Sequence, residues 1–240
     1  MLTAPLKRML FGLGDEHVIL EPQSGQLLHP EALVAFERLR ADARAAGFDP
    51  RVVSGFRSFE RQRILWNGKA AGLRPVLDSS GDPLDVAQLS PVQTAFAILR
   101  WSALPGASRH HWGTDFDVVD AAAMPEGYQL QLTPQEVADD GIFGPFHRWL
   151  DQRIAAGRSC GLFRPYAGDR GGVAPERWHL SYAPRAYELQ QLLTPELLRE
   201  QLQSCELELC DTVCERMDEI FARFVLVPEN CYPAGATREI

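Results

Sequence analysis

The stretch SRHHWGTDFDVVD, residues 108 to 120, carries the residues best suited to chemistry in this 240-residue chain. Two adjacent histidines precede three aspartates, and the aspartates are interleaved with Phe116, Val118 and Val119 in what reads as a buried strand. A buried carboxylate costs roughly several kcal/mol unless something pairs with it. Strand periodicity sets Asp115, Asp117 and Val119 on one face and Thr114, Phe116 and Val118 on the other. A second candidate strand, Trp178 to Tyr182, sets His179 and Ser181 on one side. His110 precedes Asp117, and Gly113 lies between them to supply the bend that returns the imidazole toward the carboxylate. Two histidines and a carboxylate are a ligand set for catalytic zinc, with a fourth position left for water. His110, Asp117 and His179 are therefore expected to hold one Zn2+ per chain. Glu176 stands close before His179 and is placed to act as a general base on water in metal-assisted hydrolysis.

These residues need elements to hold them. Arg51–Ser54, Thr114–Val119 and Trp178–Tyr182 read as strands. His29-Pro30-Glu31 opens a helix that Gly47 ends. Ser90-Pro91, Thr133-Pro134 and Thr194-Pro195 each set a hydroxyl cap before a proline, Thr133 with Glu136 fits a capping box, and Ser58 caps a helix reaching about Ala71. Two loops are long, residues 73 to 89 and 165 to 175. Leu198, Leu202, Cys205, Leu209, Val213, Met217, Ile220 and Phe224 recur at helical spacing, so residues 194 to 227 are expected as one long helix or a helical pair. The expected division is a main domain over residues 1–193 and a C-terminal helical extension over 194–240, packed on it.

Composition narrows the function. The formal net charge is -8, which argues against non-specific binding to nucleic acid or anionic membrane. No apolar run reaches the length of a membrane span. No secretory signal is recognised at the start, so a cytoplasmic location is expected, with a periplasmic or exported one as the alternative. The five cysteines suit reduced thiols rather than a disulfide framework.

Ser108-x-His110-x-x-Gly113-x-x-x-Asp117, followed by Glu176-x-Trp178-His179, resembles the VanY-type zinc D-alanyl-D-alanine carboxypeptidases. VanX-type dipeptidases, LD-carboxypeptidases and peptidoglycan endopeptidases are their relatives. Ser54-Gly55-Phe56-Arg57-Ser58 with Gln62 resembles the family's SGYRS segment. The resemblance spans residues 54 to 182. It implies an α+β fold, a small antiparallel sheet flanked by helices around a single zinc site. It implies zinc ligation by His110, Asp117 and His179, with Glu176 as general base. It also implies that Arg57 binds and polarises the substrate and that Ser108 and Gln62 hold the substrate's terminal group. One departure is Asp115, where the family usually has a small residue. Tuning the site, binding substrate and accepting a hydrogen bond from a ligand histidine are all open to it, and it joins Ser108 and Gln62 in the expected substrate-binding set.

The expected function is release of C-terminal D-alanine from peptidoglycan stem peptides or muropeptides. An LD-carboxypeptidase of wall recycling and a lytic endopeptidase are the alternatives, because the site chemistry is common to all three. A catalytically silent zinc-binding module is the alternative from another class, and the presence of Glu176 and Arg57 speaks against it. His111 is expected to avoid ligation, since adjacent residues of an extended chain point opposite ways. His17, His29 and His147 read as surface positions, Cys210 and Cys214 as helix packing, and Trp178 and Tyr182 as core.

Overall fold

The computed structural model describes residues 2–236. Among the described residues there are six strands: β1 (Ile19–Leu20), β2 (Leu27–Leu28), β3 (Pro50–Ser54), β4 (Asp115–Asp120), β5 (Leu162–Phe163) and β6 (His179–Tyr182). β1 and β2 pair as a small hairpin, and the rest form an antiparallel sheet in the order β3-β4-β6-β5. Ten helices accompany them among the described residues: α1 (Ala4–Phe11), α2 (Pro30–Ala45), α3 (Phe59–Ala70), α4 (Pro91–Trp101), α5 (Pro134–Val137), α6 (Gly144–Ala155), α7 (Ala183–Leu192), α8 (Pro195–Gln203), α9 (Cys210–Glu215) and α10 (Met217–Ile220). The expected α+β architecture, with helices around a small antiparallel sheet, is the one observed. β1, β2 and β5 were not expected, being too short to show alternation.

Alternation along β4 divides the molecule. Phe116 and Val118, with Val52 of β3 and Leu180 of β6, pack against Phe36 and Leu39 of α2 and Phe146 and Leu150 of α6. Asp115 and Asp117 face the other way. The register pairs Asp117 with His179, and Asp115 with Ser181, so two acidic residues and the β6 histidine share that face. On the other flank of β4 the pairing shifts between Val52 and Ser54, a bulge that sets Ser54 beside Asp117.

The expected helix caps are in place. The Ser58, Ser90 and Thr194 side chains accept backbone N–H groups at the starts of α3, α4 and α8. Residues 194 to 227 depart from the expected long helix or pair. They form α8, α9, α10 and a π-helical turn at Phe221–Val225. The break has a tertiary cause. Arg63 and Asn67 of α3 donate to the Glu206 carbonyl, Trp66 donates to the Glu208 carbonyl, and the Glu208 N–H donates to Asn67. These side chains take backbone groups that a continuous helix would have paired internally, and Leu209 turns left-handed at φ +62°. The apolar stripe survives the break. Leu198, Leu202, Val213, Met217, Ile220 and Phe224 are buried against Leu10, Phe11, Phe59, Trp66 and Ile98. Among the described residues no helix is long and apolar enough to cross a membrane.

His29 and His147 are buried rather than on the surface. His29 caps α2, accepting the Glu31 N–H at 3.4 Å. His147 lies on the buried face of α6, with Arg164 Nη2 at 3.3 Å from its Nδ1. Burial pushes His29 down to about 4 and His147 down to about 2, the latter helped by Arg164 and Arg177. In the unfolded chain both rings protonate near pH ~6.5. The stability tied to their neutral forms is therefore full above that pH and is lost as pH falls toward the folded values. Urea unfolding followed from about pH 7 to about pH 4 should show this loss, and His147→Gln should flatten the slope. An unchanged slope would remove His147 from the account.

Candidate active site

Gly113 closes a short 3-10 turn over Arg109–Trp112 and starts the approach to β4. Its φ is +67°, and a Cβ there would collide with Val18 and come 2.8 Å from the His29 nitrogen. The turn is clasped to residues 55–57 by three hydrogen bonds. His110 Nδ1 donates to the Gly55 carbonyl at 2.9 Å. The Arg57 N–H donates to the His110 carbonyl at 3.2 Å. His111 Nδ1 donates to the Arg57 carbonyl at 2.5 Å, while its Nε2 accepts the Gly106 N–H at 3.0 Å. His111 is thus fully buried and occupied at both nitrogens, as a splint between the two motifs.

His110, Asp117 and His179 are buried, and one candidate ligand atom from each lies within 4.8 Å of the others. The donor chemistry fits a metal ion. His110 spends Nδ1 on Gly55, which leaves Nε2 facing Asp117 Oδ2 at 3.8 Å. His179 spends Nε2 on Asp115 Oδ1 at 3.0 Å, which leaves Nδ1 at 3.3 Å from Asp117 Oδ1 and 3.4 Å from Glu176 Oε2. Asp117 Oδ1 is buried without an aligned hydrogen-bond donor among the described residues. Two imidazoles fixed through one nitrogen and open at the other, around an orphaned carboxylate oxygen, match a two-His, one-carboxylate zinc set.

The electrostatics follow from that crowding. Burial pushes His110 down to about 4, against the pull of Asp117. Burial would also lower His179, but the carboxylates of Asp115, Asp117 and Glu176 around it outweigh burial and hold it well above the usual imidazole range. Burial opposes ionisation of Asp117, yet the His110 and His179 rings and Arg57 keep its carboxyl below the ordinary range. The proton drawn onto His179 is what a metal ion would replace there.

The centre opens onto a cleft of about 300 Å³, lined by Arg57, Ser108, Tyr166, Glu176 and Trp178 as well as the three ligand candidates. Glu176 is held where the 165–175 loop returns, its N–H donating to the Tyr166 carbonyl at 3.0 Å. That loop is pinned from outside. Arg100 of α4 forks onto Asp169 and reaches the Gly172 carbonyl, and Arg223 reaches the Gly171 carbonyl. Arg57 is steadied by Gln62 Oε1 at 3.0 Å and Ser54 Oγ at 3.2 Å. Ser108 lines the cleft with its hydroxyl buried and without a hydrogen-bond partner among the described residues.

Two members of the expected substrate-binding set are placed otherwise. Gln62 is fully buried, and its amide nitrogen is spent on the Ala103 carbonyl and Ser102 Oγ while its oxygen holds Arg57. Asp115 is fully buried behind His179 and also accepts from Arg109 Nε at 2.8 Å, Thr114 Oγ1 and Ser181 Oγ. Both stand one layer behind the cleft because packing and complete hydrogen bonding leave them no free atom for a ligand. Of the roles open to Asp115, hydrogen-bond acceptor for a ligand histidine is the one its contacts match.

Three titratable cleft neighbours were not foreseen from the sequence. Tyr166 packs its ring edge-on to His179 at 5.1 Å, and burial raises its phenol to about 12. Nothing in the glycine-rich loop around it signals that approach. Lys69 lies on α3 two turns beyond Gln62, a spacing that could have been noticed. Arg109 was foreshadowed by Asp115, since a carboxylate in place of a small buried residue calls for a cation. Its guanidinium is itself held by Gln190, Tyr232 and Ser181.

Residues 25–185 match the family model described as VanY: D-alanyl-D-alanine carboxypeptidase. An uncharacterised protein of Haemophilus influenzae is 43% identical over 99 residues, covering 40% of this chain and 68% of that protein. A D-alanyl-D-alanine carboxypeptidase of Enterococcus faecalis is 29% identical over 143 residues, covering 58% of this chain and 42% of its own length. A solved structure of a mutant vancomycin-resistance D,D-pentapeptidase VanY from the VanB-type resistance cassette, in complex with Zn(II), is 25% identical. It covers 75% of this chain and 88% of that one, with a TM-score of 0.47.

The Arg109–Asp115 pair generates a testable outcome. Asp115→Ala strands a buried guanidinium and should cost about 3–5 kcal/mol in unfolding free energy. The double variant Arg109→Leu with Asp115→Leu should recover most of that stability, because both charges leave together. It should still bind zinc about 10–100-fold more weakly in chelator competition, since His179 has lost the acceptor that orients it. A folded double variant with unchanged zinc affinity would refute the orienting role.

Proposed function

Because this chain belongs to the VanY D-alanyl-D-alanine carboxypeptidase family, we propose that it is a zinc metallopeptidase releasing C-terminal D-alanine from peptidoglycan stem peptides. The observation that carries the reading is Glu176 beside the His110–Asp117–His179 donor set, in a cleft that Arg57 also enters. When bound, a zinc ion supplies Lewis acidity, which makes water nucleophilic near neutral pH and draws electron density from a carbonyl.

The chain's residues supply the rest. The Glu176 carboxylate accepts a proton from the attacking water as its oxygen adds to the scissile carbonyl carbon. It then returns that proton to the amine nitrogen as the C–N bond breaks. Arg57 presents a planar fork of donors toward the negative charge that develops on the carbonyl oxygen, and its contacts to Gln62 and Ser54 hold the fork in advance of substrate. Gly55 and Asp115 fix which imidazole nitrogens face inward. Trp178 and Tyr166 line the cleft beside these groups.

Zinc-loaded protein incubated with defined pentapeptide, tetrapeptide and crosslinked muropeptides, and followed by mass spectrometry, should lose one D-alanine from the pentapeptide. No product from any of them would sink the reading. Glu176→Gln should keep its zinc and its melting temperature while turnover falls by roughly 10²-fold or more. Zinc loss in that variant would make Glu176 a ligand instead. Arg57→Lys should lose most activity although the charge is kept, because the bidentate fork is gone. Turnover near wild type would remove Arg57 from the mechanism.

A further inference from the structure

Lys69 enters the cleft from the C-terminal end of α3. It is half-buried, and among the described residues neither a carboxylate nor a hydrogen-bond acceptor holds its ammonium. The third cation lining the cleft, Arg109, is matched with Asp115. Among the described residues the Arg57 guanidinium hydrogen-bonds only the neutral side chains of Gln62 and Ser54. Among the described residues the cleft therefore holds two cations without a carboxylate contact of their own, beside a metal-ligand set. Burial lowers the Lys69 pKa, and the positive charges of Arg57 and Arg74 lower it further, with Glu176 pulling the other way. An anion held between Lys69 and Arg57 meets the positive charge of both.

The resemblance left the substrate's terminal group to Ser108 and Gln62; Ser108 lines the cleft with a hydroxyl unpartnered among the described residues, but it carries no charge, and Gln62 has no free atom to offer. Lys69 lies seven residues on from Gln62, so both fall on the α3 face turned to Ser102 and Ala103, which also line the cleft. Helical side chains lean toward the N-terminus, which carries the ammonium back toward Gln62 and Arg57. We propose that Lys69 anchors the free C-terminal carboxylate of the substrate peptide, leaving Arg57 for the scissile carbonyl. The inference rests on the carboxypeptidase reading and deepens it. An anchor for a terminal carboxylate makes the enzyme select chain ends over internal bonds. The same chemistry would also bind a side-chain carboxylate of the stem peptide, and the test separates the two sources.

Zinc-loaded wild type, Lys69→Met and Lys69→Gln would be assayed on three peptides. These are the parent with a free C-terminus, its C-terminal amide, and a peptide with its side-chain carboxylate amidated instead. Wild type should prefer the free acid over the C-terminal amide by about 10–100-fold in kcat/KM, the scale of one charge-assisted hydrogen bond. Both variants should lose most of that preference, through a rise in KM larger than the fall in kcat. Side-chain amidation should change wild type and variants by the same factor. An acid-to-amide ratio unchanged in both variants would overturn the proposal. So would variants that lose discrimination only against the side-chain amide, since that would assign Lys69 to the other carboxylate. Wild type inactive on all three peptides would fail the carboxypeptidase reading itself, and this inference with it.

Discussion

The cross-strand pairing of Asp117 with His179 is the constraint on which the rest of the structure depends. Side chains alternate along a strand, so the register that faces these two residues also decides what the opposite face carries. Here it carries Phe116, Val118 and Leu180 into the core with α2 and α6. A slip of one residue would drive two carboxylates into that core and expose phenylalanine and valine to the cleft. The hydrophobic face therefore enforces the polar one. The apolar contacts supply the stability that offsets the cost of taking the buried carboxylate and imidazole out of water.

Support for the centre comes in two layers with different chemistry. In front of β4, the clasp between residues 55–57 and 110–111 is made of backbone carbonyls and imidazoles, so it sets one ligand histidine and the guanidinium of Arg57 with the same hydrogen bonds. Farther along the same face of β4, at Asp115, the layer is ionic. Arg109 and Asp115 form a fully buried pair, and Asp115 shares one oxygen between that guanidinium and His179. Tyr232 and Gln190 complete the coordination of Arg109, which ties residues beyond the 25–185 family match to a ligand candidate. The 169–172 loop is tied down in a comparable way by Arg100 and Arg223. The C-terminal helices thus do more than cover apolar surface; they also hold loop geometry beside Glu176.

The charge distribution differs between the cleft and the chain as a whole. The chain as a whole carries a formal net charge of -8, yet Arg57 and Lys69 meet in one cleft. Metal loading would add positive charge at the same place. A net negative chain gives little general attraction for polyanions.

Much of the centre was legible in the sequence because its residues lie on regular elements. Period two in Asp115-Phe116-Asp117-Val118 and in His179-Leu180-Ser181 announces which side chains share a face, and a carboxylate on a buried strand calls for a partner. Caps such as Ser58 and Ser90 are local hydrogen-bond chemistry, readable from a few residues. What tertiary structure alone decided is where nonlocal contacts compete with local preference. The stripe from Leu198 to Phe224 has helical period, but side chains of α3 capture the carbonyls of Glu206 and Glu208 and break it. Gln62 looks like a ligand contact in its motif, yet the backbone of Ala103 takes its amide. Asp115 left several roles open until Arg109, Thr114, Ser181 and His179 were seen to use both of its oxygens. Periodicity tells which way a side chain points, whereas its partners are set by segments far apart in sequence, and only the folded chain brings those together.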